Sequence, residues 1–132
     1  DLVRLLCQKP RSLVDVHQQT SYGETALHYA TSHGQMDIMR ILLDAEANTA
    51  VKDTEGLVPL HHAALNGNVD GVQLLVERGA DMNTLDGMGR TSLDQANARN
   101  NALVARFLRS KNAMMGSDVV YAQTNIAALE QE

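Results

Sequence analysis

The stretch Gly56-Leu57-Val58-Pro59-Leu60-His61-His62-Ala63-Ala64 decides the fold, because related stretches stand 33 residues before it and 33 residues after it. Gly23 and Gly89 open the two relatives, which continue as Thr25-Ala26-Leu27-His28-Tyr29-Ala30 and as Thr91-Ser92-Leu93-Asp94-Gln95-Ala96. Later in each unit, apolar residues recur at the same step: Ile41-Leu42-Leu43, Leu74-Leu75-Val76 and Phe107-Leu108-Arg109. A fixed step of this length predicts a stacked array with one small helical unit per period.

The composition is that of one folded domain. The 132 residues are 44% hydrophobic, with three Tyr, one Phe and no Trp, so aliphatic residues must build the core. Cys7 is the only cysteine, which excludes an internal disulfide and favours a reducing compartment. We therefore expect an intracellular protein, cytoplasmic or nuclear. The apolar runs are too short for membrane insertion, and we expect a monomer when the chain is by itself.

The net charge of −5 argues against nucleic-acid binding, because phosphate contacts need cations. The charge is unevenly spread. Residues 89–113 hold five cations and one acid, which gives +4 there and −9 elsewhere: Arg90, Arg99, Arg106, Arg109, Lys111 and Asp94. This end of the chain could steer an acidic partner, or it could be the solvated outer face of an end repeat.

Each unit predicts a turn followed by two helices. Thr25 and Thr91 are N-cap residues of a short first helix, and Pro59 suits the first helical position in the middle copy. Gly34 and Gly67 would end that helix. We expect the first helix over about residues 26–32, and the second over about 36–44 and, one period later, 69–78. The second helix is apolar over most of its circumference, which predicts burial on both sides.

These residues resemble the ankyrin-repeat family. Its pattern T-P-L-H-x-A-A is matched by residues 25–31 and 58–64, and its G-A-D-V-N…D-x-x-G segment by residues 79–89. The resemblance covers about residues 2–113 and implies an all-α solenoid of stacked ankyrin repeats, each a helix-turn-helix with a β-turn or hairpin loop. We expect an ankyrin-repeat domain over 1–113, divided into a partial repeat (1–22) and repeats at 23–55, 56–88 and 89–113, followed by 114–132.

Both ends depart from the family pattern. Leu2-Val3-Arg4-Leu5-Leu6 is typical of the second helix of an upstream repeat. In the third copy Asp94 replaces the motif histidine, Asn100-Asn101 replace the helix-separating glycine and its neighbour, and Arg109 replaces an apolar residue. A last repeat needs a polar outer face, so this copy is predicted to be a C-terminal cap. Residues 114–132 are either a further helix around 126–129 or a mobile tail.

No enzyme, cofactor or metal site is predicted. The resemblance implies that His28 and His61 bond the neighbouring turn and helix start, which we favour over a zinc site between them. His33 and His62 are expected on the surface, without carboxylates or cysteines at metal-ligand spacing. No phosphate-binding loop or nucleophile elbow is present.

The resemblance implies a concave groove formed by the turn tips and the outward faces of the first helices. The positions that such a fold leaves free are expected to bind another protein or peptide: Tyr22, Ser32, His33, Thr54, Glu55, Leu57, Leu65, Asn66, Leu85, Met88, Arg90 and Arg99. Five of them are apolar where water favours polar side chains, which suggests a contiguous exposed patch. We predict a ligand with an apolar anchor near Leu65 and Met88 and with acidic groups near Arg90 and Arg99.

Two alternatives to a free-standing interaction module stay open. The chain could be a regulatory or targeting segment of a larger enzyme, channel or pathogen effector. Nucleic-acid binding by the basic last repeat would need stacking aromatics or more cations. The resemblance also marks Asn83 as a position that oxygen-dependent hydroxylases modify in some ankyrin repeats, although a plain structural asparagine that bonds the turn is the simpler interpretation.

Overall fold

The computed structural model describes residues 16–130, and the side chains of residues 16–123 within them. Seven helices lie in this part of the chain: α1 (Ala26–Ser32), α2 (Met36–Asp44), α3 (Pro59–Asn66), α4 (Val69–Glu77), α5 (Ser92–Ala98), α6 (Ala102–Ser110) and α7 (Gly116–Glu130). The predicted first and second helices are confirmed, and α4 ends one residue earlier than expected. The helix predicted from residues 2–6 lies outside the described residues.

The helices form two stacked layers. α1, α3 and α5 pack in order as an inner layer, α2, α4 and α6 pack in order as an outer layer, and each inner helix packs on the outer helix that follows it. Side chains from every pair meet in one continuous aliphatic core, which includes Leu27, Leu42, Leu60, Leu75 and Leu108, each at most 1% exposed. The predicted all-α solenoid is therefore confirmed.

The inner helices begin and end as the repeat predicts. The hydroxyl oxygens of Thr25 and Thr91 accept from the backbone N–H groups of His28 and Asp94, each three residues further along. Two glycines and one asparagine leave the helical conformation after the inner helices, with φ of 65° at Gly34, 69° at Gly67 and 57° at Asn100. Asparagine tolerates the left-handed region better than most residues, so Asn100 performs the task of the glycine it replaces.

The outer helices expose one side to solvent, although α4 packs between α2 and α6 as the expectation of burial on both sides requires. In α2, Asp37, Arg40 and Asp44 face solvent, while Met39 and Leu42 are buried. Their third side is open to water because the array is only two layers thick. One ion pair on this surface joins adjacent repeats, since Arg78 after α4 pairs with Asp44 of α2 at 2.8 Å.

The chain after the third repeat is helix α7, which begins about ten residues earlier than the helix considered at 126–129. Its start is bonded to the last repeat. The Thr91 hydroxyl donates to the Met114 carbonyl at 2.7 Å, and Gly116 N–H donates to Asp94 Oδ2 at 2.7 Å. Within residues 16–130, no helix combines the length and the apolar character that a bilayer crossing requires.

Candidate partner-binding groove

The tips of the second and third repeats are turns that an aspartate holds in shape. Asp53 Oδ1 accepts from the N–H groups of Glu55 and Leu57, both at 2.9 Å. Asp86 Oδ1 accepts in the same way from Met88 at 2.8 Å and from Arg90 at 2.9 Å. These bonds go to charged acceptors and are therefore stronger than neutral ones. The tips are thus rigid supports for the side chains that they present.

The hydrogen bonds to Asp53 and Asp86 together lower the pKa of each carboxyl by more than burial raises it. Burial raises the pKa of the Asp53 carboxyl, but the bonds from Leu57 N–H, His62 and Glu55 N–H bring that pKa below its usual value. The pKa of Asp86 is lowered for the same reason, with Arg90 as its charged partner. Both carboxylates therefore stay ionised at neutral pH.

Neighbouring turns stack by backbone hydrogen bonds. Thr54 N–H donates to the Tyr22 carbonyl at 3.0 Å, and Gly87 N–H donates to the Glu55 carbonyl at 3.1 Å. Gly56 has a φ of 79°, and a Cβ added there would meet the backbone of Gly87. The close approach of the second and third turns therefore requires glycine at position 56.

An open groove of about 720 Å³ runs between these two turns. Its lining brings together residues from the second and third tips: Lys52, Asp53, Thr54, Glu55, Gly56, Leu57, Gly87, Met88 and Arg90. Met88 has 78% of its surface exposed, which is unusual for a large apolar side chain and makes it the main apolar feature of this groove.

The structure corrects part of the predicted apolar patch. Leu57 is only 6% exposed, so it does not present an apolar surface. Leu65, Leu85 and Ser32 are half-buried, and Leu65 does not line the groove at Met88. The remaining predicted residues are exposed: Tyr22, His33, Thr54, Glu55, Asn66, Met88, Arg90 and Arg99. Of the predicted set, the groove unites Thr54, Glu55, Leu57, Met88 and Arg90.

The cations of the groove are partly engaged within the protein. Arg90 Nε donates to Asp86 Oδ2 at 3.0 Å, with 45% of the arginine side chain exposed. Lys52 Nζ donates to the Leu85 carbonyl at 3.1 Å. These bonds hold both charged groups at the groove and leave donors on each of them for a further acceptor.

His28 and His61 have the structural role that the resemblance implies. His28 Nδ1 accepts from Thr25 N–H at 3.1 Å, which leaves Nε2–H to donate to the Leu57 carbonyl at 3.0 Å. His61 Nδ1 likewise accepts from Val58 N–H at 3.0 Å, while Nε2 lies 3.0 Å from the Thr84 carbonyl. Burial lowers the pKa of both imidazoles, so both are neutral at pH 7.

The expectation that His62 lies on the surface without a carboxylate is wrong. Its side chain is 16% exposed, and Nε2 lies 3.0 Å from Asp53 Oδ2 because the inner helix places residue 62 beside the turn of its own repeat. Ligand atoms of His28, Asp53 and His62 lie within 4.8 Å of one another. Their atoms already bond each other, the Leu57 carbonyl and backbone N–H groups, so a cation would have to break this network.

Sequence reasoning missed the aromatic pair at the first repeat. Tyr29 is 55% exposed, and its ring stacks on His33 with centroids 4.1 Å apart and an interplanar angle of 26°. The spacing of four residues on one helix was the signal that could have shown this pair. The pair extends the exposed surface of the first repeat beyond Tyr22.

The remaining predicted site residue is Asn83. Its Oδ1 accepts from Met114 N–H at 2.9 Å, and its own N–H donates to Asp81 Oδ1 at 2.9 Å. Asn83 therefore joins the second repeat to the segment before α7.

Comparison with known proteins agrees with the helical repeat fold. A family model described as ankyrin repeats (3 copies) matches residues 1–86 and 47–120. A protein of Rickettsia bellii (strain RML369-C), whose name describes it as an ankyrin repeat protein, is 41% identical over 46 residues. That match covers 34% of this chain and 47% of the relative, so it spans about half the length of that protein. The chain belongs to the ankyrin-repeat family, whose members are in general protein–protein interaction modules and are typically not enzymes.

Proposed function

We propose that this chain binds an extended segment of another protein across its turn tips, with the groove between the second and third turns as the main contact. The observation that carries the proposal is the exposure of Met88 beside Glu55 and Arg90 in one open groove. A large apolar side chain next to fixed charges of both signs offers a ligand both burial and orientation.

Period-related residues form a row along the tips. Tyr22, Glu55 and Met88 occupy the same position in successive repeats and are all exposed. Stacked helices lie about 8–10 Å apart, and an extended chain in the polyproline II conformation rises about 3.1 Å per residue with three residues per turn. Every third residue of an extended ligand would therefore meet one tip.

This row specifies the chemistry of the ligand. An apolar side chain would pack on Met88, a basic group would meet Glu55, and an aromatic or basic group would lie on Tyr22. Acidic groups between them would reach the remaining donors of Arg90 and Lys52. Most of the affinity would come from the apolar contact, because the exposed charges are screened by solvent.

The test is affinity capture from a cell lysate with quantitative mass spectrometry, followed by titration of the recovered partner. A Tyr22→Ser/Met88→Glu variant is compared with wild type. Each buried anchor contributes about 1.5–3 kcal/mol, so we expect at least a tenfold loss of affinity, by about 1.4 kcal/mol per decade. Tyr121→Ser is the matched control, because Tyr121 is 69% exposed on α7, close to the 71% of Tyr22. Equal binding by the double variant and by wild type would contradict the proposal.

Asn83 is the candidate for hydroxylation that the family resemblance implies. Its side-chain oxygen is held by Met114 N–H, so a hydroxylase would have to open this contact to reach the residue. Coexpression with such an enzyme and intact-mass measurement tests the candidate, since one added oxygen raises the mass by about 16 Da. An unchanged mass, or the same increase in an Asn83→Gln variant, would remove it.

A further inference from the structure

Helix α6 presents a second surface, on the outer layer, which the turn-tip proposal does not use. Leu103, Phe107 and Lys111 follow one another at a spacing of four residues, and Arg106 lies beside Leu103 at a spacing of three. Leu103 is 66% exposed and Phe107 is half-buried against the core. The Lys111 ammonium lies 5.9 Å from the Phe107 ring centroid. We call these four residues the α6 ridge.

The two earlier outer helices carry acids where α6 does not. Asp37 in α2 and Asp70 in α4 stand one period apart at the position of Leu103, in the first turn of their helices. An acid in the first turn stabilises a helix by interaction with its dipole, by about 0.3–1 kcal/mol. Helix α6 has no acid in its first turn. The leucine at this position gains no such interaction, although its intrinsic helix propensity is higher than that of aspartate.

The charges of the ridge are available for a partner. Arg106 has no ion pair or hydrogen bond within the described residues, and it lies mid-helix, where it gains nothing from the helix dipole. Lys111, at the C-cap, does gain from the dipole, but its ammonium has no carboxylate partner among residues 16–123. By contrast, Arg40 and Arg78 on the earlier repeats pair with Asp37 and Asp44.

The ridge also lies on the last outer helix among residues 16–130. α6 packs against α4 and α5. The start of α7 is instead bonded to the inner layer, through Asp94 of α5 and its N-cap residue Thr91. The apolar Leu103 and Phe107 are therefore left on a helix face that no described outer helix follows.

We propose that the α6 ridge docks an acidic amphipathic segment of a partner protein, with one apolar side chain of that segment on Leu103 and Phe107 and carboxylates on Arg106 and Lys111. Charge complementarity identifies the occupant: the surface is cationic and centred on apolar atoms, so its complement is anionic with an apolar centre. This surface is separate from the turn-tip groove, and either proposal can fail without the other.

The same features disfavour other anionic occupants. Binding of single-stranded nucleic acid relies on exposed aromatic rings for base stacking, and the one ring of the ridge is half-buried beneath Lys111. Attachment to an anionic bilayer needs an apolar face that inserts along a whole helix, whereas this ridge exposes a single large apolar side chain.

Fluorescence anisotropy with a defined probe tests the proposal. The probe is a labelled peptide in which leucines at helical spacing are surrounded by glutamates, and a peptide with serine in place of leucine is its control. We expect saturable binding of the first peptide, weaker binding of the second, and weakening of both by salt. A Leu103→Asp/Arg106→Glu variant should lose at least about tenfold in affinity, since it removes the apolar contact and reverses a charge. Aspartate at 103 is compatible with the fold because Asp37 and Asp70 occupy that position in the earlier repeats.

Arg40→Glu is the control for the charge reversal, because it makes the same arginine-to-glutamate change as position 106 but on the outer face of α2. It should bind the peptide as wild type does, and so should Tyr22→Ser/Met88→Glu. No saturable binding by wild type, or equal losses in Arg40→Glu and in the ridge variant, would overturn the proposal. Tighter ridge-dependent binding of vesicles containing phosphatidylserine or of a single-stranded oligonucleotide would overturn the choice of a protein segment. A dimer seen by sedimentation velocity and abolished by the ridge variant would do so as well.

Discussion

Asp94 Oδ2 accepts a hydrogen bond from Gly116 N–H at 2.7 Å, at the position where the first two repeats use a histidine to donate to a carbonyl. His28 faces the Leu57 carbonyl of the next turn, whereas Asp94 faces the first N–H of α7. The residue type follows the polarity of the neighbour, because a carbonyl needs a donor and a helix N-terminus needs an acceptor. The exchange therefore matches the third repeat to the start of α7 rather than to another turn.

Asp94→His should therefore separate α7 from the array. The imidazole would accept from Thr91 N–H through Nδ1, as His28 does from Thr25, and its Nε2–H would then oppose Gly116 N–H. Leaving a part-buried donor unpaired costs about 1–3 kcal/mol. Urea denaturation should show this loss, and hydrogen exchange at the Gly116 amide should become faster.

Asp94→Asn is the control for that change, since its Oδ1 keeps a neutral acceptor in place. We expect a smaller loss of stability and continued protection of the Gly116 amide. Equal loss in the two variants would mean that charge, rather than the polarity of the hydrogen bond, governs this contact.

Val58→Thr should stabilise the middle repeat. Val58 is 2% exposed and cannot cap α3, while the period-related Thr25 and Thr91 are buried to a similar extent with their hydroxyls bonded. The new hydroxyl should accept from His61 N–H and add about 0.5–1 kcal/mol. Differential scanning calorimetry should show a melting temperature raised by a few degrees. A lower melting temperature would show that the valine methyl group contributes more by packing than a cap would add.

Acidification should destabilise the array in two steps. The pKa values of His28 and His61 are lowered by burial in the folded state, so below their ordinary value of 6.5 the unfolded chain binds more protons and stability falls. Above about pH 7 both histidines are neutral in the folded and the unfolded chain, so they do not make the stability depend on pH. The Asp53 and Asp86 carboxylates, with pKa values lowered from 3.8, contribute stability that is lost only as the pH falls below that value.

Urea denaturation at several pH values between about 5 and 7.5 measures the first step. A His61→Gln variant should have a shallower slope over this range than wild type, whatever its absolute stability. An unchanged slope would show that His61 is not the group that titrates.

Gly56→Ala should cost more than Gly89→Ala. Both glycines have positive φ, 79° and 75°, so both alanines carry the strain of the left-handed region, about 1–2 kcal/mol. Only at Gly56 does the added Cβ also meet the backbone of Gly87, whereas nothing lies within 4 Å at Gly89. We expect a further loss of at least about 1 kcal/mol for Gly56→Ala. Equal losses in urea denaturation would mean that the second and third turns are not tightly stacked.

The elements that recur at fixed spacing were predictable, because a local signal repeated three times leaves little ambiguity. The caps at Thr25 and Thr91 and the bounds of α1 and α2 follow from such signals. The exposure of Leu57 was mispredicted because its neighbours along the chain do not show how much of its side chain the folded array buries. The His62–Asp53 pair was missed because the two residues are nine apart in the sequence and meet only where the turn leads into the helix. The repeat pattern assigns each of them a position but does not show that they are in contact.

By itself the sequence determined the family, the two-helix unit and the inner histidines, since these depend on interactions within one period or between identical neighbours. Only the tertiary structure decided which side chains share a surface. It placed Met88 with Glu55 and Arg90 across two turns, left Leu57 buried, and set Asp94 against the start of α7. The physical reason is that exposure and hydrogen-bond polarity depend on what the neighbouring element presents, and the element after the third repeat is α7, which is not a copy of a repeat.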